Sequence, residues 1–230
     1  MRNFFILCTL TTLVTTAAAQ ECHYVIEGII DNAADSTVKG PLNDGNKVFL
    51  KFYGKERVDT TTIANGKFWF EGTVPFPYQA TVTYQHGGVG VHLDNSRYIC
   101  EFALEIRGKG LYRYNPKIIT DSEYHNWDSS IDVKLLQLKG MKEELGSLPE
   151  TEGSMDIESQ EVDAINQTIR ALFDEVITTP NNTAEKTWIL VSDPFFSYAK
   201  YIDFYDQLPK EIKESSIGER FYNKLQKSKE

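Results

Sequence analysis

The chain has 230 residues, 41% of them hydrophobic, with 24 basic against 33 acidic side chains and a formal net charge of −9. That length is enough for one large domain or two small ones. An acidic surface repels nucleic acid and anionic lipid headgroups, which disfavours both as partners.

The first residues, MRNFFILCTLTTLVTTAAAQ, run from one basic side chain, Arg2, through an apolar stretch to Ala17, Ala18 and Ala19. This is the order of a secretory signal peptide. Residues 1–19 are therefore expected to be removed after Ala19, leaving an exported chain, periplasmic or secreted and soluble. Removal takes away Arg2, Cys8 and no acid. Lipid attachment at Cys22 is disfavoured, because Glu21 stands where a lipoprotein signal has a small residue. No later run approaches the ~20 apolar residues of a membrane span.

Cys22 and Cys100 remain. In an oxidising compartment an even pair reads as a candidate disulfide, here closing a long loop. The sequence leaves open whether their strands are neighbours, which a bridge requires. Neither cysteine sits in a C-x-x-C, so a redox-active dithiol is not expected.

Residues 20–118 read as an antiparallel β domain of about eight strands, a sandwich or a barrel-like sheet. HYVIEGII opens the series, and KVFLKFY places Val48, Leu50 and Phe52 on one face by the period of two. In VDTTTIANGKFWFEG, residues 58–72, Asn65 and Gly66 lie between two β-rich runs. Both tolerate positive φ, which predicts a type I′ hairpin. YQATVTY alternates Ala80, Val82 and Tyr84 against Thr81 and Thr83, and VGVHLD, RYICEFALEI and GLYRYNPKI follow.

Residues 119–230 read as a helical segment, making the fold class α+β. Thr120 and Glu123 form a capping box ahead of a helix striped by Trp127, Ile131, Leu135 and Leu138. After an acidic connector at residues 148–156, Val162, Ile165, Ile169, Leu172 and Val176 stripe a second helix. Asn182 with Glu185 caps a third. Asp193 with Pro194 starts a fourth, and Ser216 with Glu219 caps the last.

Candidate chemistry is sparse. His86 and His92 bracket a glycine-rich stretch, and they could share a metal only if a turn at Gly87 and Gly88 brought them together. The structural reading, a plain turn, is preferred. Glu123 and His125 diverge on a helix. Carboxylates are plentiful, but nothing in their spacing pairs two of them for acid–base work. Asn166 and Asn181 begin glycosylation sequons, and both read as chance matches. No catalytic, cofactor-binding or metal residue is assigned.

In DPFFSYAKYIDFYDQLP, residues 193–209, Phe195, Tyr198, Ala199, Ile202 and Tyr205 share one helical stripe. Phe196 and Phe204 fall off it. They are either buried by a sandwiched helix or form a partner surface.

VIEGII, KVFLKF, VDTTTIANGKFWFEG and YNPKIITDSEYHNWD together resemble an exported bacterial domain known as domain of unknown function 4369, over about residues 24–145. That domain commonly precedes a helical segment and a thioredoxin-like thiol–disulfide oxidoreductase domain. DQLPKEIKESSIGERFYNKLQ is similar to the linker that leads into the redox domain. No C-x-x-C occurs before Glu230, so the resemblance implies an accessory module without the redox domain. Its implied partner is another envelope protein, such as a thioredoxin-like oxidoreductase. The expectation is a non-catalytic exported interaction module. The alternative is a hydrolase or other enzyme whose site gathers scattered carboxylates and histidines.

Overall fold

A computed structural model of the chain describes residues 21–31, 44–85, 87–106, 112–145, 147, 154–180 and 183–229. The signal-peptide reading of residues 1–19, His86, Asn181 and Asn182 lie outside them.

Among the described residues eight strands come first: β1 (Cys22–Asp31), β2 (Lys47–Phe52), β3 (Val58–Thr62), β4 (Lys67–Val74), β5 (Tyr78–Tyr84), β6 (Gly87–Leu93), β7 (Arg97–Ile106) and β8 (Tyr112–Thr120). They form two four-stranded sheets, ordered β4-β1-β7-β8 and β3-β2-β5-β6. Alternation decides which side of each strand enters the core. Tyr24 and Ile26 of β1, Val48, Leu50 and Phe52 of β2, and Ala80, Val82 and Tyr84 of β5 are all buried. The hairpin between β3 and β4 joins the sheets at one edge, and β6 lies against β8 at the other. The sandwich is therefore nearly closed, which reconciles the two expected descriptions.

The turn between β3 and β4 forms as expected, with φ of 53° at Asn65 and 70° at Gly66. The sequence did not reveal its support. The Asp44 carboxylate accepts from both turn amides, Asn65 N–H and Gly66 N–H, each at 2.9 Å.

One pairing departs from the antiparallel expectation. β1 runs parallel to β7, with Val25 opposite Arg97 and Gly28 opposite Cys100. Apolar alternation is the same in parallel and antiparallel strands, so the pattern alone could not reveal this.

Among the described residues six helices follow: α1 (Glu123–Leu145), α2 (Ser154–Thr178), α3 (Thr183–Leu190), α4 (Tyr198–Asp206), α5 (Lys210–Lys213) and α6 (Ser216–Lys227). None of the described helices is long and apolar enough to cross a membrane. The expected stripes are buried at Ile131 and Leu135 of α1 and at Ile165, Ile169, Leu172 and Val176 of α2.

The caps differ, because nearby groups compete for the side chains. Thr120 is still in β8, where its hydroxyl donates to the Arg97 carbonyl at 2.7 Å. Ser122 caps α1 instead, its Oγ accepting from His125 N–H at 3.0 Å. Ser215, not Ser216, caps α6. Asp193 does not start α4, which begins at Tyr198 behind Ser197. Asp193 is buried and accepts from Tyr201 OH (2.5 Å), Phe195 N–H (2.7 Å) and Lys200 Nζ (3.3 Å). α5 was not anticipated.

The helices share the sandwich's hydrophobic cluster. Trp188 of α3 donates Nε1–H to the Pro77 carbonyl at 3.2 Å. Its ring meets Tyr53 and Tyr78 edge-on, with centroids 5.2 and 5.3 Å away. Tyr78 OH donates to the Tyr53 carbonyl at 2.8 Å and shares a 2.7 Å hydrogen bond with Ser216 Oγ.

Candidate functional site

By alternation His92 should face away from the sandwich core, yet Val91, His92 and Leu93 are all buried. The reason is α1, which packs over the end of β6. His92 Nε2 lies 2.8 Å from Asp128 Oδ2 of α1. Its Nδ1 lies 3.2 Å from the amide nitrogen of Gln79, the residue opposite it on β5. The ring is thus held at both nitrogens, with Nε2 donating to the Asp128 carboxylate.

Beside this pair, Asp94 carries a second group of bonds. Its Oδ1 accepts from Tyr98 OH at 2.6 Å and its Oδ2 from Ser122 Oγ at 2.6 Å. Tyr98 OH in turn accepts from Asp94 N–H at 2.9 Å. Burial, and then the Asp94 carboxylate, push the Tyr98 phenol far above its ordinary range.

His125, from the first turn of α1, closes the cluster with its ring centroid 5.3 Å from that of His92. Burial, reinforced by the neighbouring His92, lowers its pKa to about 4, so it is neutral at physiological pH. Tyr124 packs edge-on against His92 at 5.0 Å. Tyr124 OH and His125 Nδ1 are buried without a hydrogen-bond partner among the described residues.

The structure thus gathers His92, Asp94, Ser122, His125 and Asp128, which the sequence left scattered. Their hydrogen bonds tie a strand end to a helix start. Ser122, the one hydroxyl nucleophile in the group, donates to a carboxylate rather than to an imidazole and is 1% exposed. An activated serine needs the reverse arrangement. Among the described residues no group of three or more His, Cys, Asp or Glu side chains could hold a metal. Sequence reasoning missed this cluster. Its only trace was Asp94 just past the strand that ends after His92, and His125 with Asp128 three apart on one helix face.

The disulfide expectation is corrected. Cys100 lies opposite Gly28, six residues along β1 from Cys22. Six strand residues span about 20 Å, far beyond the Cα separation that a bridge allows. Both cysteines are buried and form no disulfide. Burial raises their pKa values, to about 11 for Cys22 and about 12 for Cys100.

Phe196 and Phe204 are half-buried. Phe196 stacks on Tyr201 at 4.5 Å and meets Phe221 of α6 edge-on at 5.0 Å. Phe204 lies 5.7 Å from the same Phe221 ring. The stripe expected at Phe195, Tyr198, Ala199, Ile202 and Tyr205 is not the buried face of α4. Tyr201 is the fully buried residue, because α6 packs at the edge of that stripe, with Phe221 against Tyr201, Phe204 and Tyr205.

A near-closed sandwich locked to a helical segment is the class of protein these features define. Residues 24–105 match the family model described as Domain of unknown function (DUF4369). The match runs from β1 into β7, so the resemblance read from the sequence holds for most of the sandwich and stops short of β8 and the helices. No curated protein and no solved structure matches the chain.

Proposed function

We propose that the protein is an exported, non-catalytic accessory module that docks another envelope protein. A thioredoxin-like oxidoreductase is the partner implied by the family resemblance. The observation that carries this reading is the aromatic face of α4 and α6. Phe196, Tyr198, Phe204 and Tyr205 are half-buried there, and Tyr222 is 45% exposed. Lys224 and Lys229 lie 4.5 Å above the Phe196 and Tyr198 rings. Aromatic anchors interleaved with cations suit the centre of a protein interface.

One observation favours the alternative, a hydrolase: the buried pair of His92 and Asp128. Weighing against it, the neighbouring Ser122 is inaccessible and already bonded to Asp94.

Titration calorimetry of the purified chain with thioredoxin-like envelope oxidoreductase domains tests the reading. Binding should occur, be lost in Tyr222→Glu with the melting temperature retained, and be weakened in Phe204→Leu. Absence of binding, or binding indifferent to both variants, overturns it. Ester or amide hydrolysis abolished by His92→Ala would establish the alternative.

A further inference from the structure

The outer face of the β4-β1-β7-β8 sheet carries an ordered pattern of side chains. Odd-numbered residues point outward on all four strands. The pairings align Trp69, Glu27, Ile99 and Ile119 in one row across the sheet. Trp69, Ile99 and Ile119 are 44%, 39% and 42% exposed. Ile99 and Ile119 are adjacent in this row and Trp69 lies beyond Glu27, so three large apolar side chains stand open on one face, a pattern that marks interaction surfaces.

The two flanking rows decide what covers it. On one side stand Lys67, Ile29, Glu101 and Lys117, in register across the strands. On the other stand Glu71, Val25 and Arg97, with Asp121, one residue past β8, continuing the row. Read strand by strand, the first row is positive, apolar, negative, positive. The second is negative, apolar, positive, negative. Each is the charge inverse of the other.

We infer that this sheet face is a self-association surface, which a second copy of the chain covers about a two-fold axis running along the row of Trp69, Ile99 and Ile119. That rotation lays one flanking row over the other of the partner copy, strand for strand. Lys67 then faces Glu71, Glu101 faces Arg97, Lys117 faces Asp121, and Ile29 faces Val25. The apolar residues of the central row meet their own counterparts.

The other in-plane two-fold axis, along the strands, would set Lys67 against Lys117 and Glu71 against Asp121. Like-charge contacts disfavour it. Glu27 meets its own copy on the preferred axis, but each Glu27 is already ion-paired with Arg97 of its own chain. Sheets packed face to face cross at about 30°, so the central rows carry the contact and the corners splay. Four strands by five residues span about 19 by 17 Å. This is a small interface by the usual standard, and it predicts micromolar rather than nanomolar association.

The inference is independent of the aromatic helical face, since it uses the opposite sheet and no helix. Sedimentation velocity of the purified chain over about 1–300 μM decides it, with that range set by the affinity expected for a small interface. A reversible monomer–dimer equilibrium is expected. Glu71→Lys should weaken it at least about tenfold by facing two lysines with each other, and Trp69→Ser should abolish it. The double variant Lys67→Glu with Glu71→Lys should restore it, because the swap re-creates every facing pair. A chain that stays monomeric throughout, or a double variant as weak as the single one, overturns the proposal. Circular dichroism of each variant confirms that the sandwich is intact.

Discussion

His92 at the end of β6 and Asp128 in the second turn of α1 are held 2.8 Å apart, each buried by the element that carries the other. The contact fixes where the helical segment meets the sandwich. Asp128→Ala leaves the His92 N–H buried without an acceptor. The expected loss is about 2–3 kcal/mol, read as a lower urea midpoint. Amide exchange should also speed up at the start of α1. An unchanged midpoint would show that the pair is not a clamp.

The stability of this junction should depend on pH through His125. Its pKa is about 4 in the fold against 6.5 when unperturbed. Between those values the unfolded chain binds the proton that the folded chain refuses, so stability falls as pH drops from 6.5 to 4. Below 4 both states are protonated and this contribution to the slope ends. The loss over the window is on the order of a few kcal/mol. His125→Phe should flatten that part of the stability profile; a profile as steep as the wild type would assign the slope to other groups.

Both thiols should be inert in the native protein. With pKa values of about 11 and about 12, almost no thiolate exists at pH 8, and both side chains are buried. The thiolate is the reactive species. Iodoacetamide should therefore label neither cysteine in buffer and both in guanidinium, without prior reduction. Labelling that requires a reductant would mean that the two are bonded after all.

Two glycines in the helical segment should respond in opposite senses to alanine. A Cβ on Gly218 would fall 2.1 Å from the Ile212 carbonyl oxygen and 2.6 Å from that of Lys213, both backbone atoms. Gly218→Ala should cost about 1–3 kcal/mol by forcing α5 and α6 apart. Around Gly140, within α1, no atom stands within 4 Å of such a Cβ. Gly140→Ala should raise stability by about 0.5–1 kcal/mol. Thermal melts of the two variants, moving in opposite directions, check both.

Much of the architecture was legible because it depends on local signals. The turn at Asn65 and Gly66, the inward face of Val48, Leu50 and Phe52, and the stripe of Ile165, Ile169, Leu172 and Val176 follow from periodicity and φ preference. Caps were misjudged by one to several residues wherever a distant group claimed the side chain, as Tyr78 claims Ser216 and Tyr201 claims Asp193. The cluster around His92 was illegible for the same reason on a larger scale. His92 and Asp94 reach Asp128 and Ser122 only because α1 lies across β6. Nothing in either segment encodes that crossing, and the separation of Cys22 from Cys100 likewise rests on a strand register that pattern alone cannot supply.

The parallel pairing of β1 with β7 also constrains the order of events when the chain is made. β1 is an inner strand whose two neighbours, β4 and β7, arrive late in the sequence. As the chain emerges from its N-terminus, β2 and β3 can pair while β1 is still without either partner, and β4 then covers only one of its edges until β7 arrives. Its Tyr24 and Ile26, fully buried at the end, stay uncovered until the segment through Ile106 is available. Such long-range closure makes for slow folding and leaves an unpaired strand open to wrong partners in the interval. A chain truncated before β7 should aggregate, and a holding chaperone that shields residues 22–31 would protect the whole molecule.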